Sequence, residues 1–140
     1  MGTMTERERD AFLAERRVAV LAIARDGAGP LCAPVWYRRT GDGSFEIAMA
    51  DASVKARLLR ARGRASLCVQ DEGRPYRYVT VEGPVSLRVM SPEERHVAIT
   101  DIAARYLGAE GGAGYADAFP GHDEALVTLV PDRWRTEVLG

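Results

Sequence analysis

The run Val18-Ala19-Val20-Leu21-Ala22-Ile23-Ala24 is apolar and rich in β-branched residues; it stops at Asp26-Gly27 and is answered by a second run, Leu31 to Arg39. A run, a tight turn signal and a second run read as a β-hairpin, which commits the first third of the chain to antiparallel sheet. Gly41-Asp42-Gly43 is a further turn signal and leads into Phe45-Glu46-Ile47-Ala48-Met49. Strands are predicted again at Ala65 to Val69 and at Tyr76 to Val89, around the turn-like Asp71-Glu72-Gly73-Arg74-Pro75. Alternation places Val79, Val81, Gly83 and Val85 on one face of the longer strand, with a bend at Gly83-Pro84. Ala125 to Val130 and Arg133 to Val138 complete the set.

Helices interrupt this pattern at a few places. Thr5 and Glu8 form a capping box for a helix over about 5–16, with Phe12, Leu13 and Met4 as its apolar stripe. Val54, Leu58, Leu59 and Ala61 fall at helical spacing within 52–62, with Asp51 or Ser53 as cap. Ser91-Pro92-Glu93-Glu94 opens a helix that carries Val97, Ile99, Ile102, Ala103, Tyr106 and Leu107 and ends at Gly108. The segment Gly108 to Gly114 reads as a loop, because it follows a helix and lacks the glycine spacing of a dinucleotide fingerprint. A short helix is expected near Tyr115–Phe119. Strands dominate and hairpins connect them, so the predicted fold is mainly β (α+β): an antiparallel barrel with flanking helices, not a doubly wound sheet.

At 140 residues one domain is expected across the chain, with an ordered core over about 5–136. Nineteen basic and twenty acidic residues leave a net charge of −1, without the basic excess that nucleic acid or an anionic bilayer would require. The longest apolar stretch is far too short to span a membrane, and Thr5-Glu6-Arg7-Glu8-Arg9-Asp10 is unlike a secretory signal, so a cytoplasmic location is expected. Cys32, Cys68, His96 and His122 show no metal-ligand spacing, and no metal site is expected. The two cysteines are expected to be small apolar core residues on strands.

No Gly-x-Ser-x-Gly elbow, His-Glu-x-x-His helix or paired carboxylate set is present, so hydrolytic chemistry has no sequence support and catalytic residues stay unassigned. Lys55, the sole lysine of the chain, stands with Arg57 in the first turns of a helix that follows a strand. Free backbone N–H groups and the helix dipole favour an anion there; a solvated basic face accounts for the same pair. Ala33-Pro34-Val35-Trp36-Tyr37 puts adjacent large aromatics on opposite faces of one strand, where one could wall a planar ring system or simply pack. Tyr76-Arg77-Tyr78 offers a cation between two aromatics, or an ordinary edge strand.

In order, Arg17-Val18-Ala19-Val20-Leu21-Ala22, Ala33-Pro34-Val35-Trp36-Tyr37, Ser53-Val54-Lys55-Ala56-Arg57, Arg64-Ala65-Ser66-Leu67-Cys68-Val69 and Tyr78-Val79-Thr80-Val81-Glu82-Gly83 resemble the pyridoxamine 5'-phosphate oxidase-like superfamily. Within it the chain is most similar to the actinobacterial deazaflavin (F-420)-dependent branch. The resemblance implies a split β-barrel, a homodimer, and cofactor sites in grooves between subunits. It implies that Val35, Trp36, Ala48, Met49 and Ala50 lie beside the cofactor ring, and that Ser53, Val54, Lys55 and Arg57 hold its phosphate and tail. A second subunit would contribute Tyr76, Arg77 and Tyr78. Relatives often carry Arg where Ser53 stands and Asn where Leu58 stands, so the anion contact at Ser53 is the weaker one.

The implied activity is an oxidoreductase in which bound F-420 passes hydride to a small electron-poor organic substrate. FMN in the same fold is the alternative cofactor. A non-catalytic flavin- or tetrapyrrole-binding protein is the alternative from another class. Oxidation of pyridoxamine phosphate would need further basic residues for the substrate phosphate, and none stand out in the sequence.

Overall fold

The computed structural model describes residues 2–118 and 122–140. Its strands are β1 (Ala19–Ile23), β2 (Leu31–Val35), β3 (Arg38–Arg39), β4 (Phe45–Ala50), β5 (Arg64–Asp71), β6 (Tyr76–Val89), β7 (Glu124–Leu129) and β8 (Arg133–Leu139). The helices are α1 (Glu6–Ala14), α2 (Val54–Arg62) and α3 (Pro92–Ala118). Every pairing is antiparallel, in the order β2-β1-β5-β6-β7-β4-β3, with β8 on β6. This is the split β-barrel that the strand pattern and the resemblance imply.

The long strand β6 joins the two halves of the barrel. Its residues Tyr76–Glu82 pair with β8 and Val85–Val89 pair with β7, so the change of partner falls at the expected bend, Gly83-Pro84. Gly83 is required there by space: a Cβ would stand 1.9 Å from Val130 O, where the β7–β8 connection crosses the strand.

On the opposite side the path's edge strands, β2 and β3, are continuous in sequence, and Trp36-Tyr37 crosses between them. The single strand expected over Leu31 to Arg39 is therefore split. Its crossing backbone leaves the ladder and takes side-chain partners from α3, as buried polar groups must. Tyr37 N–H donates to the Tyr106 hydroxyl (3.3 Å) and Tyr37 O accepts from Arg105. Both phenols are anchored in turn, Tyr37 to Leu13 O and Tyr106 to Arg17 O, each at 2.8 Å. Burial pushes both tyrosines above the ordinary phenol pKa and keeps them neutral.

The inward residues of the strands, Leu21, Ile23, Ile47, Leu67, Val79 and Val127 among them, fill the barrel. One helix delivers Phe12 and Leu13 to this core, and α2 delivers Ala56 and Leu59. The last helix lies outside, where Ala98 meets Met90, Leu126 and Ala48. Strand β7 is consequently buried on both faces over most of its length, which explains why Ala125-Leu126-Val127 is apolar without alternation.

Two expectations are corrected. Cys32 is exposed and Cys68 partly so; both are on strands, but at outward positions, since alternation gives the inward ones to their neighbours. The Gly108–Gly114 segment is helical. The chain turns at Gly108 (φ 81°, ψ 171°) and a second helical arm of α3 runs back along the first. Arg95 then reaches Ala116 O (3.4 Å) and His96 reaches Asp117 (3.1 Å). A Cβ on Gly112 would stand 2.7 Å from Thr100 O and 2.8 Å from Ala104 N, so these glycines permit close helix contact rather than a loop. Of the helix expected near Tyr115–Phe119, residues up to Ala118 belong to this arm; Phe119 lies outside the described residues.

Asp71 ties α1 and the loop after it to the sheet. Its carboxylate accepts from Arg77 (2.7 Å) and Arg17 (3.3 Å). The Arg77 hydrogen bond, then the Gly73 N–H, bring its pKa down from 3.8 to about 2. A carboxyl depressed on folding stabilises the fold above the unfolded-state value and loses that contribution as pH falls towards the folded one. Asp71→Asn should therefore lower the melting temperature at neutral pH, and its melts should converge on the parent's as pH drops from about 4 to 2. A constant difference down to pH 2 would count against this role. Among the described residues, no helix is long and apolar enough to cross a membrane.

Candidate functional site

A cleft of about 510 Å³ lies between the outer face of β4 and β7, the first arm of α3, the end of β2 and the start of α2. Its size is that of a small-molecule site. Pro34, Val35 and Trp36 form one wall, and Ala48, Met49 and Ala50 another. The last helix adds Ile99, Ile102 and Ala103, with Tyr115 from its second arm. The polar side chains are Ser53, Lys55, Tyr115 and Glu124.

Trp36 is positioned by the crossing between β2 and β3. Its indole stacks on Tyr106, with centroids 4.9 Å apart and planes 8° from parallel, and meets Tyr115 at 5.2 Å. It is half-buried as a result. The stack holds a flat aromatic surface at the cleft wall.

The start of α2 provides the cationic end. Ser53 is the N-cap, and its hydroxyl accepts from Ala56 N–H at 3.1 Å. The Ser53 N–H donates to Ala50 O, while the N–H groups of Val54 and Lys55 have no acceptor among the described residues. Lys55 is half-buried with its side chain in the cleft, and among the described residues it has no carboxylate partner. A lysine left without an ion pair beside free N–H groups at a helix start is suited to an anion.

The expected site residues separate into groups. Val35, Trp36, Ala48, Met49, Ala50, Ser53 and Lys55 come together in this cleft. Val54 and Arg57 stand next to it on α2 but are exposed and do not line it. Tyr76, Arg77 and Tyr78 lie in a separate depression with Gln70, Asp71 and Leu139. Strand alternation turns Arg77 to Asp71 and the Phe12 ring (5.1 Å), not between the two tyrosines. Tyr78 instead hydrogen-bonds Glu137 and accepts from Arg135 at 3.3 Å.

Sequence reasoning missed Glu124 and Tyr115. The former is 8% exposed, opens β7 and pairs in register with Ala50; its Oε1 stands 2.9 Å from His122 Nε2. Its one sequence signal was a carboxylate directly before an apolar strand. Tyr115 stood at the start of the short helix expected near Tyr115–Phe119, with no signal that it would face a cleft.

The family match decides the assignment: residues 5–137 match the family model described as pyridoxamine 5'-phosphate oxidase. The chain belongs to that family. No curated protein matches the sequence at a significant level. Among solved structures, the conserved hypothetical protein Rv2991 from Mycobacterium tuberculosis is 26% identical, with a TM-score of 0.77 over 95% of this chain and 84% of that one. An F420 reductase is 20% identical with a TM-score of 0.70, over 90% and 94% of the two chains. A FAD-binding protein from Mesorhizobium loti is 20% identical with a TM-score of 0.72, over 99% and 98%. Like these proteins, this member of the pyridoxamine 5'-phosphate oxidase family has the split barrel; the last two likenesses speak to the fold alone.

Proposed function

We propose that the chain is an oxidoreductase that holds a flavin-type cofactor in this cleft, F-420 in particular, and serves hydride transfer to a small electron-poor organic substrate. The observation that carries this reading is the placement of Lys55, unpaired among the described residues, beside the free N–H groups at the start of α2 in a cleft walled by Val35, Trp36 and Ala48–Ala50. A planar ring with an anionic tail fits both ends. The family membership and the F420 reductase and FAD-binding neighbours support the same class of ligand.

In this reading Val35, Trp36 and Ala48–Ala50 orient the ring, while Ser53, Val54 and Lys55 meet the phosphate and Arg57 the tail beyond it. A bound deazaflavin supplies the hydride chemistry, and the chain supplies binding, orientation and exclusion of water. A homodimer completes the groove, with Tyr76, Arg77 and Tyr78 brought in by a second copy. The exposed apolar strip of Val18 and Val20, beside the outward Cys32 and Pro34, is the surface such a copy would cover.

Calorimetric titration with F-420 and with FMN, together with sedimentation at micromolar concentration, tests this. The expected result is a dimer that binds F-420 more tightly than FMN. The reverse order would assign the cleft to FMN, a monomer would remove the intersubunit groove, and binding of neither would end the reading.

A further inference from the structure

Among the described residues that line the cleft, Lys55 is the one cation and Glu124 the one carboxylate. The backbone brings both to Ala50. Ser53 N–H donates to Ala50 O, which starts α2 directly past the end of β4 and makes Lys55 its second residue. Glu124 pairs in register with the same Ala50, and its carbonyl accepts from Met90 N–H. No ion pair joins Lys55 to Glu124 among the described residues. Nearby, Asp51 and Arg60 pair with each other, and His122, about half exposed (53%), stands beside Glu124 on its far side from β4's turn. A carboxylate kept 8% exposed at the end of a cleft suited to an anion needs a reason. It opposes the attraction of Lys55, and burying it costs free energy. The size of that opposition depends on the charge of what binds. Coulomb attraction grows in proportion to the charge on a bound group, whereas the cost of taking the group out of water grows with its square. With Lys55 opposed by Glu124, one negative charge is held, and a second adds more desolvation than attraction.

We infer that Glu124 is a specificity-determining residue that limits the phosphate end of the cleft to a group with a single negative charge. The phosphodiester of F-420 carries one such charge and is accepted. The phosphomonoester of FMN carries close to two at neutral pH and is disfavoured. The inference rests on the flavin-cofactor reading above and adds what distinguishes the two candidates. Their ring systems are close in shape, so walls such as Val35, Trp36 and Ala48–Ala50 do not separate them. An opposing charge beside the phosphate does, by weakening the wrong ligand more than the right one.

The test is calorimetric titration of the full-length parent and of Glu124→Gln with F-420, FMN and riboflavin, which has the ring of FMN without its phosphate. At pH 8 a phosphomonoester is fully ionised and an ordinary imidazole is neutral, so the charges are defined. In the parent, FMN should bind at most about threefold more tightly than riboflavin, because its phosphate gains little. In Glu124→Gln, riboflavin affinity should stay within about twofold of the parent, while F-420 gains about threefold and FMN about tenfold. The larger gain is close to the square of the smaller, as an energy linear in charge requires for two charges against one. A residue that only supports the fold would move FMN and riboflavin alike, and that result overturns the inference. So does a parent that binds FMN more than about tenfold tighter than riboflavin, a measurement that needs no variant. Either outcome, with F-420 bound by the parent, leaves the flavin-cofactor reading standing. A parent that binds none of the three overturns that reading and this role with it.

Discussion

Replacing Lys55 with alanine should weaken F-420 binding by about ten- to a hundredfold, the loss expected for one charge-assisted hydrogen bond of ~1.5–3 kcal/mol. The side chain makes no ion pair among the described residues, so its removal leaves no buried carboxylate unpaired. Alanine is at least as good a helix former, and Ser53 still caps α2. Folding should hardly change, and melting temperatures of parent and variant should agree closely. Arg57→Ala should act in the same direction but less strongly, since Arg57 lies outside the cleft. Raised salt should narrow the gap between Lys55→Ala and the parent, because part of the attraction is screened. A variant that binds both candidate cofactors as tightly as the parent would show that Lys55 is only a solvated basic residue on a helix face.

Gly83→Ala should be among the most damaging single substitutions in the chain. Its Cβ would fall 1.9 Å from Val130 O, 2.8 Å from Val130 C and 3.2 Å from Pro131 Cα. All three are backbone atoms of the corner between β7 and β8, and both strands are held by β6 on either side of the bend. The corner has no side-chain rotamer to give, so the strands themselves must separate. An overpacking cost of about 3 kcal/mol is expected, with a fall of roughly 10 °C in Tm. Gly29→Ala is the control: its added methyl meets nothing within 4 Å, and a change within about 0.5 kcal/mol is expected. Equal melting temperatures for Gly83→Ala and the parent would mean that the close crossing of the two strands does not stabilise the barrel.

Much of the architecture was legible because it is encoded locally. The Thr5–Glu8 capping box forms as written, with bonds of 3.1 and 3.3 Å. Ser53 caps α2, β6 spans Tyr76–Val89, and its partner changes at Gly83-Pro84. Each of these is decided by a few neighbouring residues: a hydroxyl three positions from an N–H, an alternation of period two, a residue with no Cβ.

What the sequence determined by itself is therefore most of the element set, the inward face of β6 and the cation at the start of α2. Tertiary structure decided the rest. The glycine-rich segment folds as a helix because Gly112 lets its arm approach Thr100 and Ala104, a gain no local propensity registers. Cys32 faces outward although it suits a core, and Trp36 finds Tyr106 seventy positions away in sequence. The cleft draws Val35, Ala50, Lys55, Ile102, Tyr115 and Glu124 from β2, β4, α2, both arms of α3 and β7. Periodicity reports which face of an element is buried, but not against what; only closing the barrel and folding α3 back on itself brings a lone lysine and a buried glutamate to the same cavity.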